Sequence, residues 1–400
     1  MARVRAATRA VRKPIQKSSG KLNPGKSSSG KSSSGKSNPG PKNSSVTAPN
    51  TYGGHSENIG AGMRVALIGA GGIANAHFKG HSQAGASIVA FAEPFEATRT
   101  RRETGWNARG FSSVEELLAW GEFDAVSVCT PNAFHASASI LAMRAGKHVL
   151  CEKPLSMSLK DCQSMIDVAK QTKAVLQTGH HLRANLLVEK AKEIIQSGAI
   201  GRVTFMRLRQ AHDWGGNKSI SPGFALLKNS GGGTLLDNGC HMMDLARNLG
   251  GDVGSVYCKM GTLGAWTNTV EVEDTSLVTL ELESGAIASV ENAWTGIGWE
   301  EGFWVYGTEG ALECTNRLGP RKLRHVHRSS PGTDWSNLDE TIYGFADEGG
   351  HSREIAAFWR SIRHGTPVIC TGQDGLESVR LVLTSYESAK KGKPIMLKRG

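Results

Sequence analysis

Residues 64–68 form a short, nearly unbroken apolar run, the pattern of a parallel strand buried on both faces. The same texture returns at 88–92, 124–129, 147–151 and 174–178, with helical stretches between these runs. One helix is expected over 135–145, with Gly146 placed to stop it. Ser158 can cap another that runs to about Thr172. Repeated strand–helix units predict an α/β domain with a doubly wound parallel sheet, whose ligands sit at the strand C-termini.

After about residue 185 the texture changes. A helix at 186–196 leads to 203–208, which alternates as a half-exposed strand does. Further strand runs lie at 276–282, 286–294, 303–306 and 311–314, several separated by glycine. This predicts a second, α+β domain on a mainly antiparallel sheet. Helices at 352–363 and 374–390 and a short run at 394–397 close the chain. The expected division is a tail over 1–60, a nucleotide-binding domain over 63–185, and a substrate-binding α+β domain over 186–400 that carries the C-terminal helices.

The end of the first strand run holds the most informative chemistry. Gly69, Gly71 and Ala74 form G-x-G-x-x-A between a strand and a helix. The first glycine allows the tight turn and the second lets backbone approach a pyrophosphate. The small third residue lets the helix pack on the strand, with its N–H groups facing the phosphates. Gly69, Gly71, Gly72 and Ile73 are therefore candidate cofactor contacts. A glycine-rich turn alone also suits other α/β proteins, so the partner carboxylate matters. Glu93 ends the second strand run, 24 residues after Gly69, where an acid holds the ribose hydroxyls of NAD. A carboxylate there repels a 2′-phosphate, which favours NAD; Arg99, Arg101 and Arg102 in the next helix keep NADP open.

Charge is unevenly spread. Lys and Arg exceed Asp and Glu by 11, and residues 1–50 hold 11 Lys and Arg with no acid. The remainder is balanced, so the folded body offers no electrostatic case for nucleic acid. In the basic tail Gly-Lys recurs every five residues among serines, a composition expected to be disordered. Its three formal phosphate-loop matches, at 20–27, 25–32 and 30–37, follow arithmetically from that repeat and lack a flanking strand and helix. Arg3, Arg5, Arg9 and Arg12 among small residues leave an organellar transit peptide open beside a basic docking arm or an inert extension. Seven cysteines without a C-x-x-C pair suggest reduced thiols and a cytoplasmic setting. No stretch approaches 18 apolar residues, so no membrane span is expected.

Taken together, several motifs in order resemble the glucose–fructose oxidoreductase / inositol dehydrogenase / rhizopine-catabolism (Gfo/Idh/MocA) oxidoreductases over residues 63–398. They are V-A-L-I-G-A-G-G-I-A (65–74), T-P-N-x-x-H (Thr130, Pro131, Asn132, His135) and A-G-K-H-V-L-C-E-K-P (145–154). G-G-G-x-x-x-D-x-x-x-H (231–241), D-G-L-E-S (374–378) and Y-E-S-A-x-x-G-K-P (386–394) follow. The resemblance implies a Rossmann domain followed by an open-faced sheet domain that often makes oligomer contacts, here a homodimer or homotetramer. It implies that Glu152, Lys153, Thr130, Pro131, Asn132 and His135 belong to the cofactor site. It also implies that Lys153 stands at the reacting hydroxyl, and that Asp237 and His241 face the substrate.

These roles make chemical sense. On a helix Asp237 and His241, four apart, share a face and can meet; a carboxylate beside an imidazole raises its basicity. Lys153 follows a buried strand, where desolvation and neighbouring charge are expected to lower its pKa. Without the family context, Asp237 and His241 read as readily as a cap and a core histidine, and far less readily as two metal ligands. Lys153 alone would read as an ordinary surface lysine. His180, Arg183, Asp213 and Trp214 lie at strand ends, as candidate substrate contacts or as loop or interface residues. His351, before a C-terminal helix, is a further candidate. No ligand spacing argues for a metal. The expected activity is hydride transfer between NAD(P) and a secondary hydroxyl or carbonyl of a sugar, polyol or sugar derivative. Two alternatives stay open: redox-assisted elimination at a glycoside with no net NADH, and a non-catalytic NAD-binding regulator whose tail docks on a partner.

Overall fold

The computed structural model describes residues 43–45, 58–213, 222–264, 270–317, 319–328, 338–345 and 349–397. The basic Gly-Lys repeat and the arginine-rich start lie outside the described residues.

Six parallel strands build the first sheet, in the order Arg109–Phe111, Ser87–Ala92, Arg64–Ile68, Ala125–Val128, His148–Glu152, Leu176–Gly179. This is the doubly wound order in which the winding reverses beside the first strand, opening a crevice at the strand C-termini. Val65, Ala66 and Leu67 are fully buried, which explains the unbroken apolar run: helices cover both faces.

Among the described residues the second sheet has ten strands. At its centre Val203–Ala211 pairs parallel with Ile287–Ala293 and antiparallel with Glu300–Gly307. Asn43–Ser45 pairs with Leu338–Tyr343 at one edge, and Ile395–Met396 with Val253–Gly261 at the other. Alternation decides the faces. Met206 and Leu208 point into a core shared with Leu187, Met242 and Leu381, beneath helices Leu186–Gln196, Cys240–Gly250 and Gly372–Lys391. Phe205, Leu277, Ile287 and Tyr306 point outward and are exposed.

The C-terminal helices tie the two sheets together. In His351–His364 the buried side chains Ile355, Phe358 and Trp359 pack with Val65, Ala125 and Leu150 of the first sheet. Burying each is worth roughly 1.5–3 kcal/mol. Gly372–Lys391 starts from a capping box between Thr371 and Asp374. It gives Leu376 and Val379 to the first core and Leu381 and Val382 to the second. The C-terminal segment thus belongs to the packing of both halves and holds the crevice between them in register. No helix among the described residues is long and apolar enough to cross a membrane.

Candidate active site

At the first strand end Gly69 has φ +90°, and a Cβ there would stand 2.7 Å from the Cys129 carbonyl oxygen. Only glycine fits. At Gly71 and Gly72, in contrast, a Cβ would meet nothing within 4 Å, so the loop leaves open space where a pyrophosphate would lie. Ile73, exposed, stands at the N-terminus of helix Ala74–Gln83. Glu93 is buried, and its carboxylate accepts the N–H of Ala70 at 3.0 Å and of Phe95 at 3.1 Å. Arg102 donates to the carbonyls of Ala70 (3.1 Å) and Gly71 (3.2 Å) and to Asn75, and lies over the Trp106 ring. Arg99 donates to the Glu93 carbonyl at 2.8 Å. These two arginines brace the loop, and the residues present fit NAD.

The next strand ends supply the reacting face. Asn132 donates to the Ser230 carbonyl at 2.8 Å, joining the two halves. The buried ring of His135 sits between the carbonyls of Pro154 (2.7 Å) and Thr130 (2.9 Å), so it braces the T-P-N and E-K-P turns against each other. Thr130 Oγ1 is buried with no protein partner. The Glu152 carboxylate receives a hydrogen bond from His77 Nε2 at 2.8 Å and from the Lys153 N–H at 3.1 Å. Burial opposes its charge, but His77, with His351 and Lys153 nearby, outweighs that and holds it well below the usual carboxylate range.

Lys153 Nζ donates to Asp237 Oδ1 at 2.8 Å and to the Asp237 carbonyl at 3.1 Å. Burial works against the ammonium, yet Asp237 beside it raises the Lys153 pKa. This corrects the expectation of a lowered value: the neighbouring charge is of opposite sign and wins.

The stretch before His241 is also not a plain α-helix. A π turn, Leu235–Gly239, precedes helix Cys240–Gly250, and such turns mark functional sites. Here Asp237 pairs with Lys153 and His241 with His180. The expected Asp237–His241 contact is therefore replaced by two separate ones. The three glycines before the turn are forced. A Cβ at Gly233 would fall 1.7 Å from the Glu273 carbonyl oxygen, and at Gly232 2.0 Å from the Tyr386 hydroxyl. The Glu273 carboxylate caps the turn, accepting from Gly233 and Leu235 N–H and from Tyr386.

Five imidazoles cluster here, His241 among them. His180 Nδ1 is 3.3 Å from His241 Nδ1. The His181 ring is 4.8 Å from that of His241, edge-on, and stacks on His351 at 3.9 Å. His77 lies 6.2 Å from His351. His77 Nδ1, His181 Nδ1 and His351 Nε2 are buried without a protein partner. Burial and then the neighbouring Lys153 and imidazoles push His241 well below its ordinary range. Burial likewise lowers His181, and brings His351 down to about 4.

Other candidates fall elsewhere. His180 is fully buried with both ring nitrogens engaged, by His241 and by Ser378 at 3.1 Å, so neither nitrogen is left for a substrate. Arg183 grips Asp244 with two 2.7 Å bonds and pairs with Asp374 at 3.1 Å; its guanidinium is structural, not a substrate contact. Asp213 is exposed after strand Val203–Ala211, and Trp214 lies outside the described residues. His212 stacks on Trp299 at 4.9 Å and receives Asn238 Nδ2 at 2.9 Å. His180, Asp244 and Cys370 bring donor atoms within 4.8 Å of one another, but Arg183 already occupies both Asp244 oxygens. Sequence reasoning missed His77 and Glu273, for which no spacing signal exists, and gave no role to Tyr386, which opens the Y-E-S-A motif. Ser378 sits inside the D-G-L-E-S motif, where a signal was present.

The glycine loop, the buried Glu93 and the parallel strand ends form a dinucleotide crevice, the mark of an NAD-binding oxidoreductase, and Lys153, Asp237 and His241 cluster beside those strand ends. Residues 63–180 match the model of the oxidoreductase family with the NAD-binding Rossmann fold, and residues 188–313 match the GFO/IDH/MocA C-terminal domain. The chain is 33% identical to 1,5-anhydro-D-fructose reductase of Ensifer adhaerens, over 84% of this chain and 99% of that one. It is 28% identical to D-glucoside 3-dehydrogenase of Escherichia coli, over 84% and 97%. Among solved structures, levoglucosan dehydrogenase in complex with NADH superposes with a TM-score of 0.78 at 23% identity, over 84% and 100%. The chain belongs to the Gfo/Idh/MocA oxidoreductase family.

Proposed function

We propose that this enzyme oxidises a secondary hydroxyl of a sugar, polyol or sugar derivative, or reduces the corresponding carbonyl. The observation that carries this is the Lys153–Asp237 pair, 2.8 Å apart, with Lys153 near enough to act on the buried His241. The glycine loop from Gly69 to Ile73, Glu93, and the turns at Thr130–Asn132 and Glu152–Lys153 would hold NAD. When bound, NAD supplies the hydride acceptor. The protein's own part is charge and proton handling. The Lys153 ammonium donates a hydrogen bond to the substrate oxygen and steadies the negative charge that grows there. His241, kept neutral by burial, accepts the hydroxyl proton. Asp237 holds Lys153 charged and aimed. The relatives named for anhydrofructose, glucosides and levoglucosan support a cyclic sugar as substrate.

Absorbance at 340 nm with NAD and a panel of sugars, polyols and glycosides tests this. NADH should appear with one substrate class, and Lys153→Met should lower kcat by roughly 10²–10⁴ while NAD still binds. Unaltered turnover in that variant would sink the assignment.

We also propose that the enzyme works in the cytoplasm, where its seven buried cysteines stay reduced, and self-associates through the outer face of the ten-stranded sheet. There Phe205 stands in register with Tyr306 on one side and Ile287 on the other, all exposed. Light scattering should give a multimer that Phe205→Glu disrupts.

A further inference from the structure

Ser378 Oγ lies 2.9 Å from the Gly375 carbonyl and 3.1 Å from His180 Nε2. A hydroxyl has one proton, and the carbonyl can only accept, so that proton goes to Gly375. The serine lone pairs then receive the Nε2–H of His180. A neutral imidazole carries one N–H, so His180 Nδ1 is left as a lone pair. The partner 3.3 Å away, His241 Nδ1, must therefore donate. By the same count His241 Nε2 carries the free lone pair. Both rings are buried, and burial lowers the pKa of each, which keeps them neutral.

We propose that His180, held by Ser378, is a positioning residue that fixes His241 as the Nδ1–H tautomer and presents Nε2 as the proton acceptor. The opposite tautomer would set two lone pairs against each other. Moving the His180 proton to Nδ1 would relieve that only by setting the Nε2 lone pair against those of Ser378. Once His241 takes a proton at Nε2, its Nδ1–H bond to His180 becomes charge-assisted and strengthens, so the pair also favours the protonated product. The proposal rests on the reading of His241 as the base.

The test uses the full-length enzyme labelled with ¹⁵N-histidine, the His241 resonances being identified by their loss in His241→Gln. An asparagine at 180 can place its amide oxygen where Nδ1 stood; a leucine cannot. The Nδ1–H tautomer is expected in the wild type and in His180→Asn, and a mixture in His180→Leu. The kcat should fall roughly ten- to a hundredfold in His180→Leu with KM and NAD affinity unchanged, and return largely in His180→Asn. If His180→Leu fails to fold, Ser378→Ala, on the far side of the ring, should produce the same mixture. An unchanged tautomer in the leucine or alanine variant, or asparagine rescuing no better than leucine, overturns the proposal. Full turnover in His241→Gln would instead remove the base reading itself, which the tautomer signal does not depend on.

Discussion

Lys153 Nζ sits 2.8 Å from one oxygen of Asp237 while the other, Oδ2, is buried with no protein partner. One carboxylate thus holds the lysine with one atom and keeps a second acceptor, which in the proposed mechanism takes a hydrogen bond from a substrate hydroxyl.

Asp237→Asn keeps the shape and removes the charge. In the native enzyme burial opposes the ammonium and Asp237 restores it, raising the Lys153 pKa. Without the aspartate the lysine loses its proton at lower pH. The alkaline limb of kcat/KM should therefore move down by about one unit or more. A profile that coincides with the wild type would mean that Lys153 does not set that limb.

His351→Phe separates stability from chemistry. The His351 ring stacks on His181 and has its pKa pushed down to about 4 from an ordinary 6.5. Below pH 6.5 the unfolded chain takes up a proton that the folded ring refuses, so its stabilising contribution is present above 6.5 and is lost as pH falls toward 4. The loss amounts to about 3 kcal/mol at full extent. Phenylalanine preserves the stack and does not titrate. Urea unfolding at pH 7 and pH 5 should show a smaller drop in the variant; equal drops would place the acid sensitivity elsewhere.

These contacts show which parts of the molecule a linear reading reaches. The glycine turn, Glu93 and the alternation around Val203 are local: each follows from a period or spacing within one element. The motif histidine and aspartate were legible as residues but not as partners. A single π turn at Leu235–Gly239 sends Asp237 to Lys153, 84 positions away, and leaves His241 to His180, 61 positions away. His77 meets Glu152 across 75 positions. Such pairings join elements far apart in sequence, and no periodicity encodes them. Arg183 misled for the same reason: a cation at a strand end looks available until Asp244 and Asp374 are folded against it.

Gly233→Ala tests whether the turn geometry matters. The added methyl would stand 1.7 Å from the Glu273 carbonyl oxygen, and that residue's side chain already caps Gly233 and Leu235, so backbone must move. A cost of about 3 kcal/mol or more is expected, with loss of turnover because Asp237 is displaced from Lys153. Thermal melting and the 340 nm assay together check it. A stable, active variant would show that the turn tolerates displacement.

Glu93→Gln addresses cofactor choice. The carboxylate accepts from Ala70 and Phe95 N–H groups, and a glutamine oxygen can keep one of these bonds while removing the charge that repels a 2′-phosphate. Arg102 and Arg99 are spent on loop carbonyls, so the native loop offers neither of these cations for that phosphate. The ratio of kcat/KM for NAD over NADP should fall roughly five- to thirtyfold, chiefly through improved use of NADP, because that is the factor for losing a like-charge repulsion of about 1–2 kcal/mol. If NAD use collapses instead and NADP use stays where it was, Glu93 serves to hold the loop and the ribose rather than to reject the phosphate.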